Sequence, residues 1–451
     1  MSPLQQKPLP EDAATHDGRP PNPPTAPAEP TRPEPAGPSR ARPAALLTDP
    51  AALLALLTAA GGRRYAAALL VDALGAGLLR PFLLLYGIGV LRLDPGTVGL
   101  AMSAGMVVGL LVLPLTGRWI DRGARSLPAA VTLLVRAAGA VALLRADGLG
   151  GFTASAVLLG VGNQSWPTTH AAVVSTLTEG RTRDAALAAG RTLRNAGLGT
   201  GALVATLAVA GGSGAIRLLA GVTGTACLVA AGLVHSLRVT APGTTRSTPP
   251  GTAQAPAPAP AAGPVLRRIG LLSAANLPYA FCFDVLEVAL PALLVLHLHA
   301  SPAWSAGVFV GNTVLVITLQ LAVVLRLADR SRRAVLAVAG AVLALSYLGF
   351  WAAGAIGGTS GAAAVAAVSV LFTFGEILYS GSGTALVAAS APPRLLGRAL
   401  ARWELSTGVG RALAPAVLTT LLAVGPGVLW PALAAATLLA AAAVTRLAPQ
   451  G

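Results

Sequence analysis

Residues 96–125 read GTVGLAMSAGMVVGLLVLPLTGRWIDRGAR. Positions 96–116 carry no charge and are long enough to cross a bilayer as a helix, for which about 20 residues suffice. The run then breaks into Arg118, Asp121, Arg122 and Arg125, a basic turn of the kind that stays on the cytoplasmic side of a membrane. A spanning segment has to be helical, because lipid offers no partner to free backbone N–H and C=O groups.

The rest of the chain repeats this alternation. Of its 451 residues 54% are hydrophobic and only 11% charged, with mean hydropathy +0.70. A soluble domain carries about 25% charged residues, so this composition excludes a water-soluble globular protein and predicts an all-α polytopic membrane protein. Residues 1–43 are different: they hold 13 of the 35 prolines and no apolar segment that a signal peptide would need. They read as a disordered tail. Cys227 and Cys282 fall inside apolar runs and read as small core residues, with no disulfide framework or metal cluster.

Twelve runs of spanning length follow, at roughly 65–89, 96–116, 126–145, 151–175, 184–210, 216–237, 269–296, 304–325, 334–356, 361–388, 400–423 and 428–447. A shorter stretch, 44–61, is interrupted by Asp49 and Pro50 and reads as a helix lying on the membrane surface. With a cytoplasmic N-terminus, nineteen arginines fall on cytoplasmic flanks and only Arg92, Arg145 and Arg217 on the other side. That bias orients the chain, with both termini cytoplasmic, and explains the net charge of +15 without nucleic acid. Between spans six and seven, PGTTRSTPPGTAQAPAPAPAAGP (242–264) reads as an extended linker. The expected organisation is a tail and surface helix over 1–60, a six-helix unit over 61–238, a linker over 239–265 and a second six-helix unit over 266–448.

The two units share features at offsets of 207 to 211. Pro81 matches Pro291, Pro95 matches Pro302, and Gly99 matches Gly307. GRWIDRGAR (117–125) matches LRLADRSRR (325–333), aligning Asp121-Arg122 with Asp329-Arg330. GRTLRNAGLGTG (190–201) matches ARWELSTGVGRA (401–412), aligning Arg191 with Arg402 and Gly197 with Gly408. A steady offset predicts duplication of a six-helix unit.

Two six-helix units, a central linker and Gly117-Arg118-Trp119-Ile120-Asp121-Arg122-Gly123-Ala124-Arg125 resemble the major facilitator superfamily, whose signature between helices two and three runs Gly-x-x-x-Asp-Arg-x-Gly-Arg-Arg or Lys. Here Gly123 comes one position early, and the second copy has Leu325 where the first has Gly117. The resemblance implies a gating loop of Gly117, Asp121, Arg122 and Arg125, with Asp329 and Arg330 in the second copy. It also implies that Asp121 meets the start of helix eleven, near Gly397-Arg398, in one of two alternating states. A glycine at 117 suits close helix approach, and an acid suits a helix N-terminus.

Ionisable residues within spans are costly and mark functional interiors. Asp72, Asp284, Glu287 and Glu376 are the proton-coupling candidates; Glu404 is a further acid near the start of span eleven. Asp284 and Glu287, three apart, share one face of an ideal helix. The resemblance puts all four candidates on helices one, seven and ten, which line the family's central path together with helix four. Span four carries NQSWPTTH (163–170), a polar run suited to a hydrated wall. From it Asn163, Gln164, Trp166 and His170 join Arg80 and Tyr379 as substrate-cavity candidates. Arg191 and Arg194 fit an ion-pair network with Asp72 or Glu179, and Arg411 fits one with a buried acid. Arg136, mid-span on helix three, has no evident partner. No arginine occurs between Gly151 and Gly180, where many proton antiporters of the family carry one.

The expected protein is therefore a secondary transporter of the cytoplasmic membrane with a twelve-helix fold. It moves a small organic molecule by alternating access, with proton-coupled efflux preferred over import or facilitated passage. An integral-membrane enzyme is the reading from another class, but the histidines are scattered and no HExxH or CxxC motif occurs. The expected partners are a small-molecule substrate, protons and the bilayer, in a monomer without cofactor, metal or nucleic acid.

Overall fold

The structure, a computed structural model, describes residues 58, 61–79, 83, 86–209, 213–241 and 262–447. The Pro-rich tail, nearly all of the 44–61 stretch, Arg80, Pro81 and positions 242–261 of the linker lie outside these residues. Within them the backbone is helical apart from turns and one isolated bridge, Ala124 with Thr240.

The helices are α1 (Gly62–Leu79), α2 (Pro95–Asp121), α3 (Ser126–Arg145), α4 (Leu149–Leu177), α5 (Gly180–Val209) and α6 (Ser213–His235). They continue as a broken α7, then α8 (Pro302–Arg326), α9 (Arg332–Ile356), α10 (Gly358–Ser390), α11 (Leu396–Val424) and α12 (Pro426–Leu447). The pieces of α7 are Ala262–Ala275, Leu277–Ala280, Cys282–Asp284 and Leu290–Ala292, with π-helical turns at Val285–Ala289 and Leu293–His297. Pro278 and Pro291 each open one of these pieces, as expected of residues that cannot donate to the preceding turn. Ser301 caps α8 by accepting from the Ala303 amide, with Pro302 at its first position.

Among the described residues nine helices are long and apolar enough to cross a membrane: α2, α3 and α6 to α12. The other three carry polar groups inside their length: α1 Asp72, α4 its 163–170 run, and α5 Arg191 and Arg194.

Packing follows a pattern. Helix α1 lies against α5 and α6, α2 against α4, and α3 against α4 and α6. Helix α7 lies against α11 and α12, α8 against α10, and α9 against α10 and α12. Adding six to each number in the first set produces the second. Gly197 of α5 lies against Ala73 of α1, and Gly410 of α11 against Ala280 of α7.

The linker reading needs correction at both ends. Helix begins at Ala262, inside the stretch read as extended. At the other end Val239–Ala241 are strapped to the 123–126 loop: Val239 C=O accepts from the Arg125 and Ser126 amides, and Ala241 N–H donates to Gly123 C=O at 2.8 Å.

Candidate functional site

One end of the bundle is closed around the loop that follows α2. The Asp121 carboxylate accepts from the Gly397 amide at 2.7 Å and from Arg398 Nε at 2.6 Å. Gly397 belongs to the first turn of α11, where backbone N–H groups have no partner within the helix and the helix dipole is positive. The approach is that close because both facing positions are glycine: a Cβ on Gly117 would come within 2.7 Å of Gly397 O and of Ala401 Cβ. Arg125, 1% exposed, ties the closure together. Its guanidinium donates to Ile120 C=O, to Thr176 Oγ1 at 3.1 Å and to Pro393 C=O at 3.0 Å. Burial pushes the Arg125 guanidinium down from its usual range and the neighbouring Asp121 carboxylate opposes that shift. Arg122 is exposed.

The second copy of the loop meets α5. Asp329 pairs with Arg181 at 2.6 Å, both side chains about two-thirds exposed. Arg332 donates from Nε to Asp184 at 2.7 Å, and Asp184 is buried. Arg330 is exposed.

Between α1, α3 and α4 the interior is polar but filled. Asp72 and Arg136 form a buried ion pair. This supplies the partner that Arg136 lacked in the sequence and corrects the expectation that Asp72 pairs with Arg191 or Arg194. His170 shares a 2.7 Å hydrogen bond with Tyr65 and stacks beside Tyr65 and Trp166. Trp166 is itself buried. These two substrate-cavity candidates are therefore part of a packed aromatic set. Gln164 lies against Gly109 of α2 and Gly408 of α11, and Asn163 is half-buried. Arg191 and Arg194 are half-buried on α5 and have no ion pair within 4 Å among the described residues. The carboxylates near enough to act on Arg191 include Glu404 and Glu376, and those acting on Arg194 include Asp72 and Glu404.

Around α7, α10 and α11 the polar groups are linked. Asn276, fully buried at the first break of α7, donates to Ser406 Oγ and Thr407 Oγ1, each at 2.9 Å. Its carbonyl accepts from Tyr379 O–H at 2.9 Å, so the amide is satisfied. Tyr379 stacks on Tyr279, which leaves it buried and committed, although it was a substrate-cavity candidate. Arg411 lies 3.5 Å from Asp284 and 5.7 Å from the Phe283 ring centre. The shared face expected for Asp284 and Glu287 is not maintained. The π-helical turn beginning at Val285 changes the angular step, so Asp284 is buried and Glu287 exposed. Glu376 accepts from Asn312 Nδ2 at 2.8 Å and has no ion pair within 4 Å among the described residues.

Asn276 and Asn312 are the positions the sequence reading passed over. A single carboxamide inside an apolar run is the available signal, since it is retained only where it finds hydrogen-bond partners. Among the described residues no group of three or more His, Cys, Asp or Glu side chains is arranged to hold a metal ion.

Apolar helices around a polar, ion-paired interior define a multi-pass membrane protein. Residues 65–380 match the family model of the Major Facilitator Superfamily. The chain belongs to that family of membrane transporters. Its backbone is similar to that of the human organic anion transporter TETRAN, at 16% identity and TM-score 0.66, over 87% of this chain and 99% of that one. It is similar also to a bacterial homologue of the iron transporter ferroportin in an outward-facing state, at 17% identity and TM-score 0.64, over 85% and 99%. A third is the E. coli fucose:proton symporter, at 12% identity and TM-score 0.62, over 85% and 96%. At these identities the likeness is one of fold. No curated protein sequence matches the chain.

Proposed function

We propose that this protein is a twelve-span secondary transporter of the cytoplasmic membrane that exchanges a small organic molecule for protons by alternating access, in the direction of efflux. The two six-helix units are residues 61–238 and 266–448, joined by a cytoplasmic linker, with both termini cytoplasmic. The recurrence of helix pairings under a shift of six supports the two units, and nineteen arginines against three support the orientation. The loop end held by Asp121 is then the cytoplasmic face, and the conformation is closed to the cytoplasm.

The observation that carries the reading is the contrast between that closed end and the charges behind it. Asp121 clamps the first turn of α11, while Arg191, Arg194, Asp284, Glu376 and Arg411 gather on α5, α7, α10 and α11, the helices that the clamp would let move. Glu376 is the leading proton carrier, because its one side-chain partner among the described residues is a neutral amide. Asp284, beside Arg411, is the second. The fold's occurrence in a fucose:proton symporter supports coupling.

The test is transport by reconstituted vesicles under an imposed pH gradient. Protons should move when a cargo from a broad solute panel is added, and silence across the panel would overturn coupling. Glu376→Gln should abolish proton movement with folding intact; unchanged coupling would remove Glu376 as the carrier.

A further inference from the structure

A cavity of about 410 Å³ lies between α8 and α10, away from the ion pairs described above. It is in the size range of small-molecule sites. Trp304, Val308 and Leu315 supply apolar wall, and Asn312 and Ser369, both buried, supply the polar part. The rim, including Gly307 and Val370, is exposed. The space exists because α8 presents Gly307 and Gly311 there: a Cβ at either position would meet nothing within 4 Å.

Asn312 gives the cavity a chemical sense. Its Nδ2 group donates to Thr373 Oγ1 at 3.0 Å and to Glu376 Oε2 at 2.8 Å. Both amide hydrogens are thereby turned toward α10, and the carbonyl oxygen, which accepts no hydrogen bond among the described residues, is the edge left for a ligand. Behind that acceptor stands the Glu376 carboxylate, which has no cation in ion-pair range among the described residues. An aromatic wall at Trp304 suits the same sign of charge. An acceptor backed by a carboxylate, in an otherwise apolar slot, selects a cation with an apolar body.

The geometry points to a binding site between α8 and α10 for a protonated amine on a compact apolar frame, its ammonium donating to the Asn312 carbonyl and its body against Trp304, Val308 and Leu315. An acyl chain of the bilayer would use the apolar wall but leave the Asn312 and Glu376 groups without purpose. The site does not rest on the transport reading, since binding needs neither a gradient nor a second compartment.

The experiment uses the full chain in lipid nanodiscs, with empty discs subtracted, and two rigid probes of nearly equal size: 1-adamantylammonium and 1-adamantanecarboxylate. The ammonium should bind more tightly by about tenfold or more. Gly311→Leu, whose Cβ meets nothing within 4 Å and whose side chain enters the cavity, should weaken ammonium binding by about tenfold, with Gly307→Leu as a rim variant should the first not fold. Glu376→Gln should remove the preference for the cation. Equal binding of the two probes would mark an apolar slot for lipid and overturn the site. Full ammonium affinity in folded Gly311→Leu would overturn it as well.

Discussion

The two loops that share the Asp-Arg pair, 117–125 and 325–333, are copies in sequence but different in physical character. In the first, Asp121 is only 7% exposed and accepts two charge-assisted or dipole-assisted hydrogen bonds from α11. In the second, Asp329 is 69% exposed and pairs with a similarly exposed Arg181. The difference begins at one residue. Gly117 lets the α2 and α11 backbones touch, and that contact carries Asp121 to a helix N-terminus. Leu325 stands at the matching position and, with Val324 and Leu187, packs its side chain against the apolar cluster that includes Leu321, where no glycine allows a backbone contact of the Gly117 kind. A buried carboxylate with matched donors contributes far more than an exposed ion pair. The two loops therefore contribute unequally to holding the helices they touch.

The largest expected effect comes from filling the first contact. Gly117→Leu should prevent closure of the α2–α11 end, costing about 3 kcal/mol or more by overpacking and lowering transport on the order of a hundredfold. Spin-label distances across that end should lengthen, and closure at the wild-type distance would break the comparison. Next, Asp121→Asn removes the charge from two hydrogen bonds and should cost the closed state about 1.5–3 kcal/mol. Hydrogen exchange at the Gly397 amide reads this, since the neutral side chain offers one acceptor oxygen where Gly397 N–H and Arg398 Nε had two.

Arg125→Lys should cost about 1–2 kcal/mol, because an ammonium cannot reach Ile120, Thr176 and Pro393 together. Thermal unfolding measures it, and faster exchange at the Ser126 amide would report a loosened strap from Val239. The smallest effect belongs to Asp329→Asn, below about 1 kcal/mol and reduced further by salt. Equal consequences for Asp121→Asn and Asp329→Asn in a salt series would remove the distinction between the two loops.

The polar interior was legible in part. Gly117, Asp121 and the α11 start could be paired in advance because the loop resembles the family's signature, and the resemblance implies that contact, 276 positions apart in the chain. Asp72 could be recognised as an interior acid, yet its partner could not be named, since Arg136 lies 64 positions away on a helix with no periodic clue. The shared face of Asp284 and Glu287 failed for a local reason: spacing rules assume an α-helical step, and the π-helical turn at Val285–Ala289 depends on how α7 meets its neighbours. His170 and Tyr379 read as polar or aromatic, but their partners, Tyr65 and Asn276, could not be named because they come from other helices.

The sequence by itself determined that this chain is a helical membrane protein with repeated loop motifs, because hydrophobic length and arginine placement act residue by residue and need no partner. Tertiary structure alone decided which charges are neutralised, which are left facing the centre, and which of two like loops is the buried clamp. Those outcomes depend on distances between helices, and a single methylene at Gly117 or Gly397 changes such a distance by more than a hydrogen bond can stretch.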